Sequence, residues 1–487
     1  MSGAARPGAG KGKATKLREF LVRQDPAWLA DELLRIADAD PLVSARLQAA
    51  AGADRAGLVD LSGLRRELDA AIRPGDYVGY AAAFGYARDI EKTLDQVGQL
   101  LADGFPEAAI EATEYALGLL DDAFGEVDDS GGELREVSMR AQEIHLAACQ
   151  EARLDSVALG GFLARWALRS DWEIFLGAAS DYAEVLGPEG LAEFESVVDE
   201  QFLKLPRLTP GDERDPGPWP GRFRPTYLKE SLAALRGADD VVEVIARDLS
   251  SSYRFLRAAQ VLAADDRIDD ALGWLSRGQA AFGNADHRLA DLAADLHHRA
   301  GRHQEAAHIA WQRFVGSSSL ATYQRLQEFA AAVGDWQQRR EAALEVLRAK
   351  PVAGPPGPPG PQPSWAAEPP GHTGLVEVLL WEDDVDAAWQ AAQHGGCTRQ
   401  RWLDLARARA KERPIDAIPI LQREVLFSIA GGKRKAYQAG AKLARELRGY
   451  AERAGRSADF AVWIRKIRTE NARRSALQDE FNMARLP

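Results

Sequence analysis

The sequence predicts an all-α protein built from antiparallel helix hairpins, and three observations carry that prediction. The first is composition: 487 residues, 46% hydrophobic and 28% charged, dominated by alanine, leucine, arginine and glutamate. Those residues favour helix over strand, and no run alternates apolar and polar residues in the way a half-buried strand requires. The second is apolar residues recurring three and four apart, as at Trp28, Leu29, Leu33 and Ile36. The third is a repeated phrase: "RIDDALGWLSRGQAAF" at 267–282 is echoed by "RHQEAAHIAWQRFVGS" at 302–317.

The first elements read in order. Residues 1–15 are small, basic and Gly-rich, the composition of a disordered tail. "GAGKGKAT" within them is not a phosphate-binding loop, because Pro7 stands at the first required glycine and Ala14 at the required Ser or Thr. Asp25-Pro26 and Asp40-Pro41 each place a capping carboxylate before a first-turn proline, which predicts helix starts. Further helices are expected at 86–103, 106–122, 133–152, 156–168, 172–185 and 189–204, within a helical region spanning 16–204. Six prolines and three glycines at 205–226 predict a loop, with helix resuming near Tyr227.

The repeated phrase belongs to a longer series. An acidic residue directly before alanine recurs at Glu107-Ala108, Asp270-Ala271, Glu305-Ala306, Glu341-Ala342, Asp386-Ala387 and Asp416-Ala417. Ala271 to Ala306 is 35 residues and Ala306 to Ala342 is 36, near the ~34 of tetratricopeptide hairpins. A small alanine early in the second helix of a hairpin lets two helices approach closely. The fold expected is therefore a tetratricopeptide-like α-solenoid, with repeats over 227–350 and further helical repeats over 373–487. The 45-residue interval from Ala342 to Ala387 holds a Pro/Gly-rich stretch at 351–372, read as a loop inserted into the array. The C-terminal helices are amphipathic with basic outer faces.

Charge is unevenly spread. Residues 1–23 carry six basic and one acidic group, and 433–474 carry thirteen and four. With −1 from 475–487, the net charge of −12 leaves 24–432 at −12 − (5 + 9 − 1) = −25. Such a body repels nucleic acid except at its ends. Two cysteines give no disulfide framework, and no apolar signal core or membrane-length run is present, so a cytoplasmic protein is expected.

No motif names a reaction. Five of eight histidines cluster at His287, His297, His298, His303 and His308, but none of the five are four apart as a helical metal pair requires. They read as exposed polar residues, with a site assembled across the turn at Gly301 as the rival. His394 and Cys397 form an H-x-x-C pair without a second pair, better read as a helix stop at Gly395-Gly396 before a cap at Thr398. A calcium loop begun at Glu126 fails at its twelfth position, Val137, and a Ser130-capped turn is expected instead. "ARDLSSSYRFL" at 246–256 is the most polar run, with Arg247 and Arg254 placed to hold an anion and Asp248 to Ser252 marking a helix start. Trp274, Trp311, Trp336, Trp381, Trp389, Trp402 and Trp463 fall at helical spacing and are expected chiefly as wedges in the core.

The phrases "SDWEIFLGAASDYAEVLG", "ARDLSSSYRFLRAAQVL" and "LLWEDDVDAAWQAAQHGGC" resemble an uncharacterised bacterial domain-of-unknown-function family. Similar sequence occurs C-terminal to SWIM-type zinc fingers. The resemblance spans about residues 17–480. It implies a helical-repeat interaction role and no catalytic residues, and the finger itself is absent here. The expectation is a non-catalytic scaffold without cofactor or metal, binding a protein or peptide. Arg247, Asp248, Tyr253, Arg254, Trp274, Trp311 and Trp389 are its candidate contacts. The alternatives are nucleic-acid association through Lys433, Arg434, Lys435, Arg465, Lys466 and Arg468, and a metal-dependent enzyme using the clustered histidines.

Overall fold

Helices account for almost all regular structure in the computed structural model, which describes residues 18–39, 43–44, 47, 51, 61–212, 219–352 and 371–487. The expected tail at 1–15, the Asp40-Pro41 helix start and 353–370 of the Pro/Gly-rich stretch lie outside those residues. Among the described residues the β pairing consists of two isolated bridges, Val78–Val127 and Leu208–Asp248. The chain forms two compact units, Met1–Asp265 and Asp266–Pro487.

In the first unit α1 (Pro26–Ala39) begins at the expected proline. A hairpin array follows, α2 (Ser62–Ile72), α3 (Tyr80–Ala102), α4 (Pro106–Ala123), α5 (Glu133–Glu151) and α6 (Ser156–Arg169). Each helix of α2–α5 packs on its next or next-but-one neighbour, the pattern a stack of hairpins gives. The α4–α5 turn is capped differently from expectation. Asp129, not Ser130, accepts the N–H groups of Leu134 at 2.7 Å and Arg135 at 3.2 Å, and Ser130 donates to Asp128 instead.

The helix expected at 172–185 does not begin until Ala178, and 172–177 are non-helical. Glu173 and Phe175 have left-handed backbone, φ 63° and 57°. This winds the chain so that Ile174 and Phe175 both enter the core, and the Gln142 side-chain oxygen takes the Phe175 N–H at 2.8 Å. A single turn, α7 (Ala178–Asp181), then leads to α8 (Ala183–Phe202), which bends where Gly187-Pro188 interrupts its helical dihedrals.

A second correction concerns 205–226. Helix α9 spans Trp219–Ala234 and contains Pro225, so helix resumes eight residues before Tyr227. Pro225 lies in the second turn, opposite the carbonyl of Gly221, where the backbone yields most readily. Helices α10 (Ala238–Ile245) and α11 (Ser252–Ala264) close the unit.

The second unit runs α12 (Ile268–Phe282), α13 (His287–Arg299), α14 (His303–Gly316), α15 (Leu320–Val333) and α16 (Trp336–Arg348). It continues with α17 (Thr373–Trp381), α18 (Val385–Gly395), α19 (Arg399–Arg409) and α20 (Pro414–Ala430). Helices α21 (Arg434–Arg453), α22 (Ser457–Glu470) and α23 (Ser475–Met483) complete it. The signature alanines mark the tight approaches, with one shift of register. Ala271, Ala306 and Ala417 are fully buried, whereas Ala343 and Ala388 are buried in place of Ala342 and Ala387. Ala271→Leu adds bulk at a fully buried position in α12 and is expected to lower stability by about 1–3 kcal/mol in urea unfolding. Ala342→Leu, one residue out of register, is expected to cost less.

The tryptophans expected in the core sit mostly at its edge. Trp311, Trp336, Trp389, Trp402 and Trp463 are half-buried against it, and Trp381 is exposed. A planar indole is large, and in a stack of Ala-lined helices its outer edge reaches solvent. Trp166, in the first unit, is the one buried among the described residues.

A half-buried polar knot ties α15 and α16 to the C-terminal end of α17. Glu382 takes two hydrogen bonds from Arg340, at 2.8 and 2.6 Å, and one from the Tyr323 hydroxyl at 2.7 Å. Burial pushes the Glu382 carboxyl up, but those donors outweigh it and hold the group below the usual carboxylate range. A depressed folded value means that the carboxylate's contribution is complete above the free value of 4.5 and is lost as pH falls through the folded one. Glu382→Gln should therefore lower the melting temperature at pH 7, and its gap from the unsubstituted chain should narrow below about pH 4.

Candidate functional site

The polar run at 246–256 builds one side of an open groove, and its geometry begins with a buried turn. Asp248 accepts the Ser250 N–H at 3.2 Å and the Ser250 hydroxyl at 2.6 Å, an Asx turn that aims the chain into α11. The bridge to Leu208 pins it, with Leu208 N–H donating to the Arg247 carbonyl at 2.9 Å and Leu249 N–H to the Leu208 carbonyl at 2.8 Å. Ser251 stands at the helix cap without a side-chain capping bond, and Ser252 opens the helix.

From this start α11 presents Tyr253, Arg254 and Arg257 along one face, while α9 faces them with Arg222, Phe223, Thr226, Tyr227 and Glu230. These eight residues line a cavity of about 430 Å³. A second space of about 500 Å³ shares Tyr227, Glu230 and Arg257 and extends past Val241, Val261 and Ala264. Tyr227 and Tyr253 are 42% and 48% exposed, and Phe223 packs beside Tyr227 with ring centroids 5.6 Å apart.

The charges are graded. Arg254 donates to Glu230 at 2.8 Å and lies 4.0 Å from Asp248. Arg222 lies 3.8 Å from the same carboxylate. Asp248 is only 4% exposed, so it anchors two guanidinium groups from beneath and does not offer itself to a ligand. Arg257, half-buried, has no carboxylate partner among the described residues.

Of the candidates named from sequence, the structure brings only Tyr253 and Arg254 to the groove. Arg247 turns away, its guanidinium 4.8 Å from the Phe202 ring and donating to the Leu205 carbonyl at 3.2 Å. Trp274, Trp311 and Trp389 belong to the second unit and form no site with one another. Trp274 carries Arg277 over its ring at 4.0 Å, Trp311 packs near Phe314, and Trp389 meets Trp402 edge-on at 5.7 Å. Arg222, Phe223 and Thr226 were missed because Pro225 assigned them to a loop, which left Tyr227 and Glu230 at a helix start without the rest of their face. Their spacing, i, i+1, i+4, i+5 and i+8, is a helix face once that proline is admitted.

The basic C-terminal set divides. Arg468 donates to Gln478 at 3.1 Å, to the Leu486 carbonyl at 2.9 Å and to Asn482 at 2.5 Å, which fixes the end of the chain. Arg434 pairs with buried Glu480 at 3.1 Å. Lys433, Lys435, Arg465 and Lys466 remain exposed. Lys435, Lys442 and Arg445 form a stripe on one face of α21, at i, i+7 and i+10.

Two other clusters carry reactive groups. Across the Gly301 turn His298 and His303 meet, Nδ1 to Nδ1 at 3.1 Å, with Phe329 5.3 Å from the His298 ring. They are half-buried and paired, which corrects their reading as exposed residues; positive φ at Gly301 lets α14 fold back onto α13. Among the described residues no group of three or more His, Cys, Asp or Glu side chains is arranged to hold a metal. In the first unit Cys149 lies 3.6 Å from His145, which meets Tyr182 at 2.8 Å. Burial, helped by Glu114, pushes the Cys149 thiol up to about 12, so it stays protonated and unreactive at neutral pH. Thr398 makes no side-chain cap; its N–H instead donates to Thr373 at 3.0 Å.

No family model and no curated protein matches the chain. Among solved structures it is similar to a human IFIT1 dimer with PPP-AAAA, at 9% identity over 86% of this chain and 98% of that one, TM-score 0.23. It is also similar to the TPR domain of P58(IPK), at 12% identity over 82% and 97%, TM-score 0.18. A circular tandem repeat protein aligns at 16% identity over 92% and 98%, TM-score 0.17. Likeness this slight carries no argument, and the fold rests on the helices and their pairing. Among the described residues no helix is long and apolar enough to cross a membrane.

Proposed function

We propose that the chain is a non-catalytic interaction scaffold, acting in the cytoplasm, whose α9–α11 groove seats a protein or peptide partner. The observation that carries this is the exposed pair Tyr227 and Tyr253, from different helices, lining one open groove together with Arg222, Arg254 and Arg257. Exposed aromatics beside arginine are the residues that contribute most at protein interfaces. A hairpin stack suits the role because it presents long concave surfaces without needing a closed pocket. Affinity capture from lysate with the full chain and with Tyr227→Ala/Tyr253→Ala tests it. A partner present with the first and missing with the second is expected; identical eluates would sink the proposal.

The α21 stripe supports a second reading, nucleic-acid association. Exchanging Lys435, Lys442 and Arg445 for glutamate would then abolish a gel shift that already weakens steeply with salt. No shift of DNA or RNA at low salt ends that reading.

A further inference from the structure

We infer that the α9–α11 groove selects an acidic peptide segment, seating one carboxylate on Arg257 between Tyr227 and Tyr253 and an apolar residue toward Val241 and Val261; this rests on the reading of the groove as a partner seat. The charge grading points that way. Three guanidinium groups face two carboxylates, and the carboxylates are spent on Arg222 and Arg254. Arg257 is left as a half-buried cation without a carboxylate partner among the described residues. A cation held partly out of water is under-hydrated, and a planar carboxylate is the partner its paired N–H donors fit best.

Length and polarity shape the rest of the ligand. From Tyr253 to Ala264 the groove follows eleven helical steps, about 16 Å, which spans about five residues of extended peptide. The far end is lined by Ala234, Val241, Val261 and Ala264, and Ala264 lies seven helical steps, about 10 Å, past Arg257, so it takes an apolar side chain about three residues beyond the acid. Glu230, between the two ends, disfavours a second acid at the centre. The chain's net charge of −12 works against an acidic ligand at long range. Recognition therefore depends on contact with Arg257, and a partly buried contact of that kind is less screened by salt than surface pairs are.

The test uses the full chain and three fluorescein-labelled peptides, Gly-Glu-Gly-Gly-Leu-Leu-Gly and its Gln and Lys counterparts at the second position, read by fluorescence anisotropy. The acidic peptide is expected to bind at least tenfold more tightly than the Gln peptide. Arg257→Gln should erase that preference and Arg257→Lys restore part of it. Tyr227→Ala/Tyr253→Ala should weaken both peptides, with melting temperatures checked to show that each variant folds. Equal binding of acidic and Gln peptides, lost in the double tyrosine variant, overturns the charge selectivity while leaving the groove a peptide seat. Acidic binding untouched by the double tyrosine variant overturns both. Failure of the acidic peptide to bind, or tighter binding of a labelled oligoadenylate of equal length, overturns the inference.

Discussion

Gly160→Leu is expected to destabilise the first unit by about 3 kcal/mol or more, measured as a fall in the urea midpoint. Helices α6 and α8 cross with their backbones in contact. A Cβ added at Gly160 would stand 2.1 Å from the Gly190 carbonyl oxygen, and one at Gly190 would stand 2.5 Å from that of Ser156. The obstruction is backbone, so no rotamer change relieves it, and the helices must separate and expose the core around Leu163 and Phe194. Gly118→Ala is the matched control. Gly118 is helical with nothing within 4 Å of an added Cβ, so the change should be neutral or stabilise by up to about 1 kcal/mol. Equal effects at the two sites would mean that the crossing is misplaced.

Arg399→Met is expected to cost about 3 kcal/mol in the second unit. Glu424 is 1% exposed and takes two hydrogen bonds from Arg399, at 2.9 and 2.5 Å. Arg423 approaches its other oxygen only at 3.5 Å. Without Arg399 a carboxylate is left in an apolar setting with one distant cation, and the Phe427 face loses the guanidinium 3.1 Å from its centre. Adding Glu424→Leu to Arg399→Met should recover most of the loss, because the penalty lies in the orphaned charge. A double variant no more stable than the single would show that packing by the arginine stem is what matters.

Local periodicity made the helices legible, and it failed where tertiary structure overrides local rules. The Glu/Asp-Ala series located the hairpins, yet at Ala343 and Ala388 the buried position is one residue later. The acidic member of the phrase could not be interpreted in one dimension. Asp386 and Asp416 both grip Arg409, which is 8% exposed and stacked 5.0 Å from Trp389. Residues 172–177 looked helical because left-handed backbone at non-glycine residues leaves no sequence mark; the gain of burying Ile174 and Phe175 together sustains it. The groove was half visible. Tyr253 and Arg254 followed from a polar run ahead of a helix, whereas the α9 face lay behind Pro225, and the freedom of Arg257 depends on which carboxylates fold toward its neighbours.

The central claim is that a partner occupies the α9–α11 groove. Its most direct test is a photo-crosslinking amino acid placed at Tyr253 and, as control, at Tyr77, which is exposed in the same unit but lies outside the groove. A discrete adduct is predicted at 253, absent at 77 and diminished by Arg257→Gln. No adduct at 253, or the same adducts at both positions, would contradict the account.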